Sequence, residues 1–217
     1  MAKTIVGILI SGRGSNMRAL VEAAEADDYP AEIALVISNN SDAGGLDFAA
    51  EKGILSQVID HRDFDRREDF DAAIDEALRA ANVQIVCLAG FMRIVSKWFV
   101  DRWRDRLINI HPSLLPAFKG LHIHERVLEK GVKMTGCTVH FVRPEMDEGP
   151  IIAQAAVAVH EEDKPDDLAK RVLMAEHALY PKALALVASG NARVTHERVK
   201  ISNVDVPTEY LMNPVGN

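Results

Sequence analysis

The stretch Leu107-Ile108-Asn109-Ile110-His111-Pro112 decides the fold of the chain. Its apolar residues make a short run that is typical of a buried strand, and Pro112 then removes a backbone donor and ends that strand. Asn109 and His111 are two positions apart, so in an extended segment their side chains point to the same side. Ligands bind at the carboxyl ends of strands in open α/β sheets, which makes this pair a candidate site. The alternative is a strand and a turn in which both side chains only cap backbone groups.

Apolar runs and amphipathic segments alternate from the amino terminus up to this stretch. The predicted strands are 5–10, 33–37, 57–59 and 83–88, and the predicted helices between them are 17–26, 46–52, 64–81 and 97–103. Nearly continuous apolar strands separated by helices are typical of a parallel sheet that is covered on both faces. The sequence therefore predicts an α/β fold with a doubly wound, mostly parallel sheet.

The pattern changes after Pro116. The sequence predicts a short helix over 125–130, alternating strands over 134–142 and 151–159, and a long helix over 166–189 that is interrupted at Pro181. Two strands joined by a polar loop indicate a hairpin-like, mixed carboxyl-terminal part. We expect a single domain over 1–206 and a loose polar tail over 207–217.

Composition and charge restrict the class of function. The chain has 217 residues, 48% of them hydrophobic, and a formal net charge of −7, which argues against a broad nucleic-acid-binding face but leaves room for a small anion. Cys87 and Cys137 lie in apolar runs, as expected for reduced thiols in a cytosolic protein. The amino-terminal residues run directly into the first predicted strand, so we expect no cleavable leader, and no apolar run has the length of a membrane span. We expect a cytoplasmic protein whose partners are small molecules, with no nucleic acid and no membrane.

A glycine-rich loop, Ser-Gly-Arg-Gly-Ser-Asn at 11–16, follows the first strand and opens the first helix. Small residues let backbone amides approach an anion, and the helix dipole adds roughly half a positive charge there. A dinucleotide-binding loop would need a third glycine where Met17 stands, and a mononucleotide-binding loop would need Gly-Lys-Ser/Thr. We therefore expect a compact phosphate monoester at this loop. The alternative is a turn whose glycines serve only tight packing.

A second candidate group lies further along the chain. Within the predicted strand 134–142, Gly136, Thr138 and His140 share one face, and the loop after this strand carries Asp147 before a Gly-Pro turn. A histidine and an acid from separate segments can act together in proton transfer. The alternatives are a buried structural histidine and an aspartate that caps loop amides. His122 and His124 have no third ligand at a suitable spacing, so we expect no metal site.

Four segments carry a resemblance to one family: Ser-Gly-Arg-Gly-Ser-Asn, Leu-Ala-Gly-Phe-Met-Arg (88–93), Asn-Ile-His-Pro-Ser-Leu-Leu-Pro (109–116) and His-Phe-Val…Asp-Glu-Gly-Pro-Ile (140–151). In this order they closely resemble the phosphoribosylglycinamide formyltransferases (glycinamide ribonucleotide transformylases), and the resemblance covers nearly the whole chain. It implies the Rossmann-like fold of the folate-dependent formyltransferase superfamily.

The resemblance also implies an activity in purine synthesis and one-carbon metabolism. A transferase of this family moves the formyl group of 10-formyltetrahydrofolate to the amine of 5-phosphoribosylglycinamide, on the route to IMP. Formyl-folate is then a co-substrate and no metal takes part. The resemblance leaves open a monomer or a homodimer. The alternative is a 10-formyltetrahydrofolate hydrolase, which would release formate.

The residue roles that the resemblance implies fall into three groups. The catalytic set would be Asn109, His111 and Asp147. The phosphate and ribose of the amine substrate would be bound by Gly14, Ser15, Asn16 and Glu176. Folate would be bound by Arg67, Met92, Arg93, Ile94, Val95 and Asn109.

One position departs from the family pattern. Leu173 lies one helical turn before Glu176, where the family pattern has a polar or basic residue near the phosphate. We expect Arg13, in the glycine-rich loop, to supply the missing positive charge.

Overall fold

The computed structural model describes residues 2–203 and 212–213. Within these residues the strands are β1 (Thr4–Ile10), β2 (Ala31–Ser38), β3 (Leu55–Val58), β4 (Ile85–Leu88), β5 (Leu107–His111), β6 (Met134–Phe141), β7 (Ile151–Ala158), β8 (Ala192–Thr195) and β9 (Arg198–Ile201). The α-helices are α1 (Ser15–Ala24), α2 (Gly45–Glu51), α3 (Arg67–Ala80), α4 (Lys97–Arg102), α5 (Ile123–Glu129) and α6 (Pro165–Ala188).

The first seven strands form one sheet in the order β3-β2-β1-β4-β5-β6-β7. Strands β1 to β5 are all parallel to one another, whereas β6 is antiparallel to both β5 and β7. The strand order reverses between β1 and β4, and such a reversal opens a crevice for ligands. The predicted α/β fold, with a mostly parallel sheet and a mixed carboxyl-terminal part, is confirmed.

The apolar strands are buried on both faces because helices cover each side of the sheet. In β1, Ile8 packs into the same cluster as Met17 of α1, and Leu9 packs into the opposite cluster with Ile74 of α3. Successive residues of a strand point to opposite faces, so an uninterrupted apolar run serves both layers.

Helix α6 crosses the sheet and is fastened to it at Tyr180. The fully buried Tyr180 hydroxyl lies 3.0 Å from the carbonyl oxygen of Leu88 and 3.2 Å from that of Ile108. The sequence predicted an interruption at Pro181, but α6 is continuous from Pro165 to Ala188. Proline removes one backbone donor, and the buried residues on both sides of it hold the helix together.

The hairpin of β8 and β9 is an element that the sequence analysis missed. Its apolar side chains Ala192, Val194 and Val199 pack against the main core. The predicted loose tail over 207–217 lies outside the described residues except for Met212 and Asn213. The Asn213 amide nitrogen donates to the carbonyl oxygens of Lys133 at 2.6 Å and Val159 at 2.9 Å. In the described part of the chain, no helix has the length and apolar character that crossing a membrane requires.

Replacing Gly136 by alanine should destabilise the fold by about 2–3 kcal/mol, because overpacking a tight site costs free energy of this order. A Cβ atom at Gly136 would lie 1.9 Å from the Ala155 carbonyl oxygen, so β6 and β7 would have to separate. Urea unfolding of Gly136→Ala measures the loss. Gly44→Ala is the control, since a Cβ there has no neighbour within 4 Å. Equal stability of the two variants would contradict the prediction.

Candidate active site

The pairing of β5 with β6 assembles the first part of the site. The register places Asn109 opposite His140 and His111 opposite Thr138. Residues directly opposite each other in an antiparallel pair point to the same face, so these four side chains line one surface. The Asn109 amide nitrogen lies 3.4 Å from His140 Nε2.

His140 is buried, and its neighbours determine which of its ring nitrogens carries the hydrogen. Its Nδ1 lies 3.0 Å from the Phe141 carbonyl oxygen, which can only accept, so Nδ1 carries the hydrogen. Burial lowers the pKa of His140, which outweighs the opposing effect of this backbone bond, and the ring is neutral near neutral pH. Nε2 is therefore an acceptor for one amide hydrogen of Asn109. The second amide hydrogen of Asn109 remains for a ligand.

His111, the last residue of β5, lies close to Asp147 in the loop between β6 and β7. His111 Nδ1 lies 3.6 Å from Asp147 Oδ1, and both side chains are about nine-tenths buried, at 7% and 10% exposure. On the other side of the imidazole, Nε2 donates to the Phe118 carbonyl oxygen at 3.0 Å. Asp147 Oδ2 accepts a hydrogen bond of 2.9 Å from the backbone N–H of Gly120. The loop after β5 thus holds both members of the pair.

The glycine-rich loop opens α1 without a side-chain cap. Gly14 has φ 68°, a left-handed conformation that favours glycine. A Cβ there would also lie 3.1 Å from the Cα atom of Gly45, so a side chain would crowd the second loop. The uncapped N–H groups at the start of α1 are the donors that an anion would use.

Asn16 joins this loop to α6. Its amide nitrogen donates to Glu176 Oε2 at 2.6 Å, and both side chains are buried. Burial raises the pKa of Glu176, and the bond from Asn16 opposes that rise. Within the described residues, the Asn16 Oδ1 atom is buried and has no hydrogen-bond partner. The pair therefore keeps an unused acceptor close to the predicted ribose contact.

A cavity of about 310 Å³ lies beside the glycine-rich loop and is lined by Arg13, Ser15, Arg18, Gly44 and Leu173. Leu173 provides an apolar wall, and the two exposed guanidinium groups provide the positive charge. Arg18 was not identified from the sequence, although it lies one helical turn after Ser15 and so shares its face. Its guanidinium carbon is 4.4 Å from the centroid of the Phe48 ring, which fixes its direction.

The loop after β4, at 89–95, is anchored to its neighbours at both ends. The backbone N–H of Met92 donates to Ser11 Oγ at 2.8 Å, which links it to the loop after β1. At the other end, the Ser96 N–H donates to Asp71 Oδ2 at 2.6 Å. Arg67, predicted to contact folate, is exposed one turn before Asp71 on α3.

The side chains of this loop are largely free. Met92 is 73% exposed and Ile94 is 60% exposed, although both are apolar. Arg93 is also exposed, and Val95 is half-buried. Exposed apolar residues beside a crevice are typical of a surface that a ligand covers.

The cysteine and histidine candidates outside the site behave as core or surface groups. Burial raises the pKa of Cys87 to about 12 and that of Cys137 to about 12, which keeps both as thiols. His122 is exposed, and burial lowers the pKa of His124. Among residues 2–203 and 212–213, no three His, Cys, Asp or Glu side chains are grouped as a metal ion would need.

Comparisons with known proteins identify the family to which the chain is similar. A sequence profile of the family described as "Formyl transferase" matches residues 4–184. The chain is 42% identical over 190 residues to the phosphoribosylglycinamide formyltransferase of Escherichia coli (strain K12), a match that covers 88% of this chain and 89% of that protein. It is 50% identical over 192 residues to the trifunctional purine biosynthetic protein adenosine-3 of Homo sapiens, which covers 88% of this chain but 19% of that protein. The chain thus spans about a fifth of the length of the trifunctional relatives.

A solved structure gives the same result. The glycinamide ribonucleotide transformylase 1 of Symbiobacterium toebii superposes with a TM-score of 0.90 at 45% identity, over 93% of this chain and 95% of that chain. Both the sequence match and the shared architecture include the carboxyl ends of β1, β4 and β5, where the candidate side chains lie. The chain belongs to the formyl transferase family.

Proposed function

We propose that this chain transfers the formyl group of 10-formyltetrahydrofolate to the amine of 5-phosphoribosylglycinamide, in the biosynthesis of purines. The observation that supports this most strongly is the His111–Asp147 pair, in which Nδ1 and Oδ1 are 3.6 Å apart. Asn109 lies on the same face of β5 as His111. An anion loop lies at the same carboxyl-terminal edge of the sheet. The relatives named phosphoribosylglycinamide formyltransferase support the choice of substrates.

The two substrates would occupy neighbouring parts of the crevice. The phosphate of the amine substrate binds the backbone amides of Gly14, Ser15 and Asn16, with Arg13 as a counter-charge, and Glu176 accepts hydrogen bonds from the ribose hydroxyls. The co-substrate, 10-formyltetrahydrofolate, binds along the exposed loop after β4, and its contacts are Arg67, Met92, Arg93, Ile94 and Val95. Holding both substrates in register supplies much of the acceleration.

The reaction needs a donor for the oxygen that becomes negative. The substrate amine attacks the formyl carbon, a carbon–nitrogen bond forms, and charge develops on the formyl oxygen. The second amide hydrogen of Asn109 is available for that oxygen, because His140 already holds the first. His111 can donate from Nε2 when the formyl oxygen replaces the Phe118 carbonyl as acceptor. Loss of one such donor costs on the order of 100-fold in kcat.

Proton transfer is the task of His111 and Asp147. The attacking amine must lose one proton, and the departing folate nitrogen must gain one when its bond to the formyl carbon breaks. A carboxylate beside an imidazole can accept the first proton and return it, directly or through water. In these steps the side chains of His111 and Asp147 handle the proton, and formyl-folate is the co-substrate.

The remaining expectations from the sequence are proposals of the same kind. We propose one domain over 1–206, a cytoplasmic protein, and a monomer or homodimer that binds neither nucleic acid nor membrane. The net charge of −7 and the small cationic cavity beside the glycine-rich loop support small anionic ligands.

Mixing the purified protein with both substrates should consume the formyl cofactor only when the amine is present. The expected products are formylated 5-phosphoribosylglycinamide and tetrahydrofolate in equal amounts, measured by folate absorbance and mass spectrometry. Formate release at the same rate without the amine would instead identify the hydrolase and overturn the proposed transfer.

The variants His111→Ala and Asp147→Asn should each lower kcat by ~100-fold or more, since each removes a group that handles the proton. The dissociation constant of the phosphate substrate should stay nearly unchanged, because its phosphate binds at a different loop. The matched control is His160→Ala, which removes the exposed histidine of another His–Asp pair, beyond the carboxyl end of β7. A nearly normal kcat in either site variant would remove that residue from the mechanism.

Replacing Arg13 by alanine should raise the KM for the phosphate substrate roughly tenfold at low salt, as expected for the loss of one bond to a charged group. The difference from the wild type should shrink as salt is added, because salt screens exposed charges. Arg193→Ala, on the distant hairpin, is the control for a general charge effect. An unchanged KM and salt dependence in Arg13→Ala would show that Arg13 does not replace the charge missing at Leu173.

A further inference from the structure

A buried arginine lies at the start of the loop that carries Asp147. The Arg143 side chain is 6% exposed. Its Nη2 donates to Asp105 Oδ1 at 2.6 Å, and its Nε donates to Glu197 Oε2 at 2.7 Å. A guanidinium removed from water needs such partners, and removing one of them leaves charge uncompensated. The two carboxylates come from elements far apart in the sequence, so Arg143 joins three segments.

Both partners of Arg143 occupy backbone positions that side chains seldom adopt. Asp105 has φ 57° in the turn before β5, and Glu197 has φ 56° in the turn between β8 and β9. His196, the other central residue of that two-residue turn, has φ 51°. Such hairpin turns normally carry asparagine, aspartate or glycine at these positions. Glutamate is an unfavourable residue at this position for the turn itself, which indicates that its carboxylate has another use.

The base of the Asp147 loop is closed around Arg143. The loop leaves β6 at Phe141 and returns at Pro150, whose carbonyl oxygen accepts a hydrogen bond of 2.9 Å from the Phe141 N–H. A Cβ at Gly149 would lie 1.6 Å from the Phe141 carbonyl oxygen and 3.4 Å from Cγ of Arg143. The two ends of the loop and the stem of Arg143 are therefore in direct contact.

The tip of the same loop is held separately. Asp147 accepts from the Gly120 N–H, and Glu148 forms an ion pair with Lys119, so the tip rests on the loop after β5. The tip contacts are few and polar, while the segment between Arg143 and Asp147 is exposed. The position of the carboxylate of Asp147 relative to His111 then depends on how firmly the base of the loop is fixed.

We propose that Glu197 and Asp105 are positioning residues for formyl transfer: through Arg143 they hold the base of the Asp147 loop, and so keep Asp147 beside His111. This inference rests on the proposed function for its effect on catalysis. It gives the hairpin of β8 and β9 a role in the reaction, although its turn touches neither His111 nor Asp147. Arg104, which forms an ion pair with Glu197, steadies the same carboxylate.

The turn itself supplies a test that separates positioning from stability. Glu197→Gly relieves the left-handed backbone, which offsets part of the stability that is lost with the carboxylate, so the melting temperature should fall by only a few degrees and the variant should be fully folded at the assay temperature. The kcat should nevertheless fall roughly tenfold, because a displacement of about 1 Å costs on the order of 100-fold and the contacts at the tip of the loop should limit the displacement of Asp147 to less than that. The KM for the phosphate substrate should not change. The matched control is His196→Gly, which relieves the neighbouring turn position without touching Arg143 and should keep the wild-type kcat.

A conservative variant and an exchange measurement complete the test. Glu197→Gln keeps an acceptor for Arg143 Nε, so its kcat should lie between those of the wild type and Glu197→Gly. Amide hydrogen exchange over 143–149 should be faster in Glu197→Gly but not in His196→Gly. A wild-type kcat and wild-type exchange in Glu197→Gly would overturn the proposal, as would a loss of kcat without faster exchange over 143–149. If the wild type transfers no formyl group, the proposed function fails, and the exchange comparison still decides whether the loop is held through Glu197.

Discussion

The antiparallel pairing of β5 with β6 is the constraint on which the site depends. It sets Asn109 against His140 and His111 against Thr138, and a shift of one residue would turn all four to the other face. Thr138 Oγ1 donates to the Ser113 carbonyl oxygen at 2.7 Å and accepts from the Leu115 N–H at 3.0 Å. The same strand pairing therefore also sets the course of the chain after His111, where the Phe118 and Gly120 contacts arise.

Helix α6 connects the sheet to the glycine-rich loop. Glu176 and Tyr180 are four residues apart and lie on the same buried face. Tyr180 fastens that face to the carbonyl oxygens of β4 and β5, and Glu176 receives the bond from Asn16. Among residues 2–203 and 212–213 this buried carboxylate has one side-chain donor, which is an unfavourable arrangement in the free protein, as the raised pKa of Glu176 indicates. The arrangement is understandable if a ligand hydroxyl completes the hydrogen bonds of the pair.

The sequence predicted those features that depend on local pattern. The Asn109–His111 spacing at the carboxyl end of a strand and the alternation of strands and helices follow from periods of two and 3.6 residues, and the glycine-rich loop is read from its composition. The short hairpin of β8 and β9 was missed because each of its strands has only four residues and its turn, His196-Glu197, lacks the usual glycine signal. The closeness of Asp147 to His111 is a long-range contact that no local pattern encodes. The resemblance supplied that pairing, and the ligand-binding roles stay predictions.

Several residues around His111 and Arg143 have unfavourable backbone conformations. Within the described residues, the non-glycine residues with positive φ are Asn82, Asp105, Phe118, His122, Asp147, His196, Glu197 and Asn203. Phe118 and Asp147 contact His111 directly, and Asp105 and Glu197 bind Arg143. Each such residue costs of order 1–3 kcal/mol relative to a relaxed conformation, and the surrounding contacts must offset that cost. Asp147 is itself one of these residues, so its loop would relax away from His111 without contacts at both its base and its tip. The buried Arg143 at the base therefore affects the position of a carboxylate four residues later.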